Sequence, residues 1–305
     1  MSILHLNIAA FPIEIERQRA PRLRLRPVVI AAASNARAPL LSVSREAYAL
    51  GLRKGMRLGA ARAQERGLTC LLPNPPLYQR AQRCLLKIVQ RFTPVFEPLR
   101  PGSVFLDMSG TRWLFGSGPD AASKVRAAVL RELALDLALG LAENKLVARI
   151  AAKVMRPVGL CDVFPGNEAD FLRPLEVDLL PGLGAAIATP LLRELNIRFI
   201  GDIAQVPPSI LLQLFGKPGI KLSERSHGID RSPVQAPART PRLVAAAVLA
   251  EPSNDDGRLQ AQLWSLIETL GRELRSTQRM AGAALLHGLY VDRRETELRV
   301  AFTPS

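Results

Sequence analysis

Two apolar segments, Ile3-Leu4-His5-Leu6-Asn7-Ile8 and Arg100-Pro101-Gly102-Ser103-Val104-Phe105-Leu106-Asp107-Met108-Ser109-Gly110, carry the side chains on which any chemistry of this chain turns. Their polar positions hold an amide at Asn7, no side chain at Gly102 and a hydroxyl at Ser103. Hard divalent cations are held by carboxylates, and a pair of cations close enough to activate a phosphate ester needs several of them. An amide, a hydroxyl and a glycine do not make such a site. Asp107 is the only acid in the second segment and lies further along it, where a structural role is expected. The other candidates are cationic. Arg17, Arg19, Arg22, Arg24 and Arg26 crowd the stretch from Glu14 to Pro27, while Lys145, Arg149, Lys153 and Arg156 recur at helical spacing. Guanidinium and ammonium groups suit phosphate. The Arg17, Arg19, Arg22 strip therefore reads either as a solvated loop or as a phosphate-tracking or partner-docking surface.

The elements that must position these residues follow an α/β rhythm. The alternating apolar pattern predicts strands at Ile3–Ile8, Pro27–Ala32 and Arg100–Asp107, and helical runs at Leu77–Phe92 and Ala121–Leu133. The first and third strands are expected side by side, with Asn7 near Gly102 and Ser103. A chain of 305 residues, 48% hydrophobic, should form two to four compact units. Its formal charge of +14 points to an acidic partner, nucleic acid first. Residues 1–90 hold 15 Lys and Arg against 4 Asp and Glu, residues 91–165 hold 10 against 7, and the rest is balanced at 16 each. Neither a membrane span nor a secretory signal is indicated, so a cytoplasmic, nucleoid-associated protein is expected. Cys70, Cys84, Cys161, His5, His227 and His287 share no metal spacing, and no cofactor is expected.

These segments resemble the Y-family (DinB/UmuC-like) translesion DNA polymerases. Leu6-Asn7-Ile8-Ala9-Ala10-Phe11-Pro12 matches the family's first strand, hydrophobic-Asp-hydrophobic-Asp-x-Phe-Phe/Tyr, and Arg100–Asp107 matches Ser-Ile-Asp-Glu-Ala-Phe/Tyr-Leu-Asp without a gap. Asn7, Gly102 and Ser103 stand where the family's three metal-binding acids stand. Residues 42–56 resemble the finger segment, but the family's triphosphate-contacting Tyr and Arg fall on Arg45 and Tyr48, and Pro12 replaces the bulky residue that excludes ribonucleotides. Residues 142–153 resemble the family's Asn-Lys helix, and Arg156 falls on a lysine that contacts the triphosphate.

The resemblance implies an α+β multidomain fold, a right hand of palm (1–10 and 76–165), fingers (11–75) and helix-hairpin-helix thumb (166–231). A linker (232–242) and a shortened α/β little finger (243–305) follow. Leu180-Pro181-Gly182-Leu183-Gly184 would be the hairpin, with Gly182 and Gly184 letting backbone N–H groups approach phosphate. In the last domain, strands are expected at Leu243–Leu249, Ala281–Val291 and Glu297–Phe302 around a helix at Gly257–Ser276; only the start of the family's domain is matched, so a shortened domain or an open sheet edge is expected. Gln213-Leu214-Phe215 is a weak match to a sliding-clamp peptide.

The emptied acids are similar to those of the catalytically silent, ImuB-type members. The resemblance then implies a non-catalytic DNA-binding scaffold in damage-induced translesion synthesis. Its DNA-contacting residues would be Lys145, Arg149, Arg156, Gly182, Gly184, Arg17, Arg19 and Arg22. Its partners would be primer-template or single-stranded DNA, the sliding clamp, an error-prone replicative-type polymerase and a RecA-like accessory protein. The alternative is an active, divergent error-prone polymerase built around Asp107; a decaying gene product is a third reading, opposed by the clean strand and helix patterns.

Overall fold

The computed structural model describes residues 2–181, 183, 195–236, 243–247, 249, 253–276, 278–289 and 295–302. Five strands build the sheet that carries the site: β1 (Ile3–Asn7), β5 (Phe96–Arg100), β6 (Ser103–Asp107), β7 (Ala138–Ala142) and β8 (Gly159–Asp162), in the order β5-β6-β1-β7-β8. Pairing is antiparallel except between β7 and β8. The alternation of β1 and β6 buries both faces. Leu4, Leu6, Val104 and Leu106 enter one core with Ile13, Leu85 and Val125, while Ile3 and Phe105 enter another with Leu146, Val147 and Ile150. Each such fully buried side chain contributes about 1.5–3 kcal/mol of transfer free energy.

A second sheet, ordered β3-β2-β4, is formed by β2 (Val28–Ala31), β3 (Leu40–Val43) and β4 (Thr69–Leu71). The helices α2 (Arg45–Ala49) and α3 (Leu58–Gln64) cover it, through Ala47, Leu58 and Ala61. The helix α1 (Phe11–Arg19) lies in the stretch that the sequence reads as an arginine-rich loop from Glu14 onward. Pro12 in its first turn, Glu14 near its N-terminus and Arg17 and Arg19 in its last turn all suit a helix. The arginines thus complement the helix dipole before they meet any ligand.

The sheet is backed by α4 (Pro75–Val89), α5 (Arg112–Phe115) and α6 (Gly118–Leu133) on one side, and by α7 (Lys145–Val154) on the other. Asn144 caps α7 by accepting the Val147 N–H at 2.9 Å. A Cβ on Gly140 of β7 would lie 2.1 Å from the Ala148 carbonyl oxygen, so only glycine lets α7 sit this close to the sheet. The remaining helices of this unit are α8 (Glu168–Leu172), α9 (Ile200–Ala204), α10 (Pro208–Phe215) and α11 (Lys217–Ser226). Asn144 Nδ2 donates to the Gly228 carbonyl at 2.8 Å, tying α7 to the end of α11.

The chain divides into two compact units, Met1–Pro237 and Ala238–Ser305. The second holds α12 (Asp256–Ser276) and an antiparallel pair, β9 (Ala283–Leu289) and β10 (Glu295–Ala301). The strand expected at Leu243–Leu249 is not formed: its described residues, 243–247 and 249, have no regular structure. Alternation alone does not make a strand without a ladder partner, and β9 and β10 pair with each other.

Candidate functional site

The expected neighbours meet. Asn7 pairs with Ser103 across β1 and β6, and the Ile8 N–H donates to the Gly102 carbonyl at 2.7 Å. The same row continues outward, because Arg100 of β5 pairs with Ser103. Asn7 and Ser103 are buried, and so is His5, two residues back on the same face of β1. Arg100, Ser103 and Asn7 therefore stand in register at one end of three adjacent strands.

Beside this row, α7 and the residues after it bring Arg149, Lys153 and Arg156, spaced by four and then three residues. Arg156 Nε donates to Asn7 Oδ1 at 2.9 Å. A guanidinium is thus bonded directly to the side chain in the first of the three matched acid positions. The amide serves as its acceptor, which no cation ligand set would permit at the same oxygen.

Electrostatics reinforces the exclusion of cations. Burial, then Arg100 and Arg149, hold the Arg156 guanidinium below its usual proton affinity; burial, then Arg100 and Arg225, do the same to Arg149. Burial also lowers Lys153, partly opposed by Asp178 and aided by Arg156, Arg149 and Arg100. His5 is pushed down to about 3, first by burial and then by Arg149, Arg156 and Arg100. It is neutral at physiological pH. Its Nε2 lies 2.9 Å from Ser103 Oγ, while Nδ1 is buried without a hydrogen-bond partner among the described residues. A lone pair left unpaired there costs less than an unpaired N–H, which places the proton on Nε2, donating to Ser103.

Divalent metal does not fit these residues. Gly102 adds no ligand, and its backbone could not easily carry one: φ is +78°, and an added Cβ would lie 2.5 Å from Phe11 Cβ. Asp107 pairs with Ile3, four register positions from the Asn7–Ser103 pair, or about 13 Å along a strand. Its carboxylate accepts the Ser109 N–H at 2.8 Å, a turn-stabilising role. Among the described residues no group of three or more His, Cys, Asp or Glu is placed to hold a metal ion.

The other sequence-selected cations are dispersed. Lys145 Nζ bonds Glu97 at 2.7 Å and the Pro233 carbonyl at 3.2 Å, and Glu97 also accepts the Gln235 N–H, so this lysine fastens the end of the first unit to β5. Arg17 is buried, donating to Glu14 at 3.0 Å, to the Arg26 carbonyl at 3.0 Å and to Glu46. Arg19 and Arg22 are exposed. Gly182 and Gly184 lie outside the described residues. Gln213, Leu214 and Phe215 form the last turn of α10 rather than an extended peptide. Tyr48 and Arg53 pack on each other, the guanidinium carbon 3.8 Å from the ring centre. His5 and Arg100 carried no role in the sequence reading. Period-two spacing from Asn7 was the available signal for His5, whereas Arg100 joins the row only through strand pairing.

The split within the arginine strip gives a testable contrast. Arg17→Ala is expected to cost about 2 kcal/mol in urea unfolding, less than a fully buried pair because Glu14 and Glu46 keep some access to water. It should leave the salt dependence of duplex binding unchanged. Arg19→Ala with Arg22→Ala should do the reverse, lowering the slope of log K against log salt by up to about 0.9 for each phosphate that these side chains neutralise. A slope that falls with Arg17 alone, and not with the double variant, would contradict this division.

The family description impB/mucB/samB matches residues 6–153. The chain is 31% identical to DNA polymerase IV of Yersinia pestis (strain Pestoides F) over 283 residues, covering 93% of this chain and 79% of that protein. It is 29% identical to DNA polymerase IV of Dehalococcoides mccartyi over 279 residues, covering 92% of this chain and 71% of that one. Among solved structures it is similar to DinB from Sulfolobus solfataricus, with a TM-score of 0.76 and 21% identity, covering 100% of this chain and 88% of that chain. A further likeness is to an insertion ternary complex of Dbh DNA polymerase, with a TM-score of 0.74, 21% identity and 99% of this chain covered against 88% of that one. At those identities the structures speak for the fold.

Proposed function

The chain belongs to the Y-family (DinB/UmuC-like) DNA polymerases, and from that premise we propose that it is a non-catalytic member that acts as a DNA-binding scaffold in damage-induced translesion synthesis. The observation that carries this reading is the Arg156 guanidinium on Asn7 at 2.9 Å, where a metal-binding acid would stand in the family's motif. Relatives named DNA polymerase IV supply the setting of DNA synthesis. Two-metal nucleotidyl transfer requires carboxylates at positions that here hold an amide, a glycine and a hydroxyl. A cation bonded to that amide removes what affinity for magnesium an oxygen ligand retains. What remains is a polymerase frame able to occupy DNA without extending it.

DNA as a partner is supported by the charge of the first 90 residues and by the likeness to the fold of DNA-bound Dbh complexes. In this reading palm (1–10 and 76–165), fingers (11–75) and thumb (166–231) keep their family positions, with the linker at 232–242 and the last domain at 243–305. The ImuB-type subtype and its partners, a sliding clamp, an error-prone replicative-type polymerase and a RecA-like protein, follow from the resemblance. No helix among the described residues is long and apolar enough to cross a membrane. Binding of the full chain to primed DNA, followed by fluorescence anisotropy in EDTA, tests the scaffold half of the proposal. Retained binding without divalent metal is the expected result; binding that appears only with magnesium would contradict it.

A further inference from the structure

A site that has lost its metal-binding acids is usually expected to be inert. This one has instead gained charge of the opposite sign. Arg100, Arg149 and Arg156 converge on the end of the β5-β6-β1 row with Lys153 beside them, and their mutual influence is strong enough to depress one another and His5. Among the described residues, none of the three arginines forms an ion pair with a carboxylate. Structural arginines of this chain look different: Arg17 is paired to Glu14 and Glu46, Arg91 to Glu132 and Arg126 to Asp136. Arg100 and Arg149 are exposed residues, so their guanidinium groups are accessible from solvent. Only Arg156 is oriented by a partner in the floor, through its Nε, which leaves the two terminal nitrogens of its fork with no hydrogen-bond partner among the described residues. That floor is neutral, made of Asn7, Ser103 and the uncharged His5.

Like charges held this close repel, and an anion between them relieves the repulsion. Guanidinium forks match phosphate oxygens in pairs, which gives shape selectivity as well as charge. We propose that Arg100, Arg149 and Arg156, with Lys153, form a polyphosphate-binding site that works without divalent metal, the fixed cations standing in for the metal ions of a catalytic member. This rests on the non-catalytic reading above and adds a reversed metal dependence to it. Magnesium, which bridges the phosphates in a two-metal site, here competes with the arginines for the same oxygens.

The test is calorimetric titration of the full chain with inorganic tripolyphosphate and, separately, with a deoxynucleoside triphosphate, first in EDTA and then in excess magnesium. Binding in EDTA is expected, weakened at least about threefold by magnesium. Equal affinity for the two ligands assigns the site to the polyphosphate alone, and tighter nucleotide binding adds a base contact beside it. Arg100→Gln and Arg149→Gln should each weaken binding about tenfold, a change of about 1.4 kcal/mol, with unchanged melting temperature. Arg19→Gln, outside the cluster, should leave it alone. Should one cluster variant fold poorly, the other carries the test, since Arg100 lies on β5 and Arg149 on α7. Binding that requires magnesium, no binding in EDTA, or binding untouched by both cluster variants would overturn the site. The two readings separate: protein that neither extends primers nor binds polyphosphate removes only the anion site, whereas magnesium-dependent binding with primer extension removes both.

Discussion

Gly102→Asp is expected to weaken the fold severely and to restore no metal site. Two independent effects act at this position. The backbone is left-handed at φ +78°, which costs an L-residue about 1–2 kcal/mol. In addition, the new Cβ would meet Phe11 Cβ at 2.5 Å and Phe11 Cγ at 2.8 Å, and overpacking of a buried site adds about 1–3 kcal/mol. Phe11 cannot easily retreat, because it is fully buried at the start of α1 and packed into the core beneath β1. Gly110 provides the internal control. It has nearly the same φ, +77°, with nothing within 4 Å of an added Cβ among the described residues. Urea unfolding of Gly102→Ala and Gly110→Ala should therefore show a clearly larger loss at residue 102, the difference measuring the clash with Phe11. Equal losses would mean that Phe11 yields and that an acid at residue 102 could be accommodated. The triple change Asn7→Asp, Gly102→Asp, Ser103→Glu is expected to gain no magnesium-dependent activity, since an aspartate at residue 7 would meet the Arg156 guanidinium first.

Stability should fall steeply in mild acid because of His5. Its proton affinity is lowered from an ordinary 6.5 to about 3, by burial first and then by Arg149, Arg156 and Arg100. In the unfolded chain His5 takes up a proton near 6.5; in the folded protein it does so only near 3. Between these values the unfolded state binds more protons, so stability rises with pH through the window and is lost as pH falls. At 1.36 kcal/mol per unit the full effect is on the order of 5 kcal/mol. His5→Gln keeps a hydrogen-bonding group near Ser103 and cannot titrate. The difference in unfolding free energy between wild type and variant should therefore change between about pH 6.5 and about pH 4 in favour of the variant. Carboxylates elsewhere titrate in both proteins and cancel. A difference that is flat with pH would mean that His5 is not held neutral, and that the arginines do not act on it as described.

The frame of the site was legible in the sequence because it is local and periodic. Alternation in Ile3–Asn7 and Ser103–Asp107 marks the strands, and a resemblance over the same residues places Asn7 against Ser103. What escaped was set by pairing between distant segments. Arg100 belongs to the site only because β5 pairs with β6 so that it stands opposite Ser103. His5 was one of three scattered histidines until the arginines of α7 were packed over the same face of the sheet. In α1 the apolar residues Phe11, Ile13 and Ile15 alternate as in a strand, and among arginines they obscured the helix that Pro12 and Glu14 begin. Composition set all five arginines of the strip on equal terms; only packing separates Arg17, enclosed by Glu14 and Glu46, from Arg19 and Arg22 in solvent.

Primer extension on a primed template with all four deoxynucleotides, in magnesium and again in manganese, tests the central claim most directly. The wild-type protein, shown to be folded and to bind the same DNA, is expected to add no nucleotide in either metal. Asp107→Ala should be equally silent, because Asp107 lies at the far end of β6 from Asn7. Extension by the wild-type protein that is lost in Asp107→Ala, or in Asn7→Ala, would contradict the account and show that these residues anchor a working metal site.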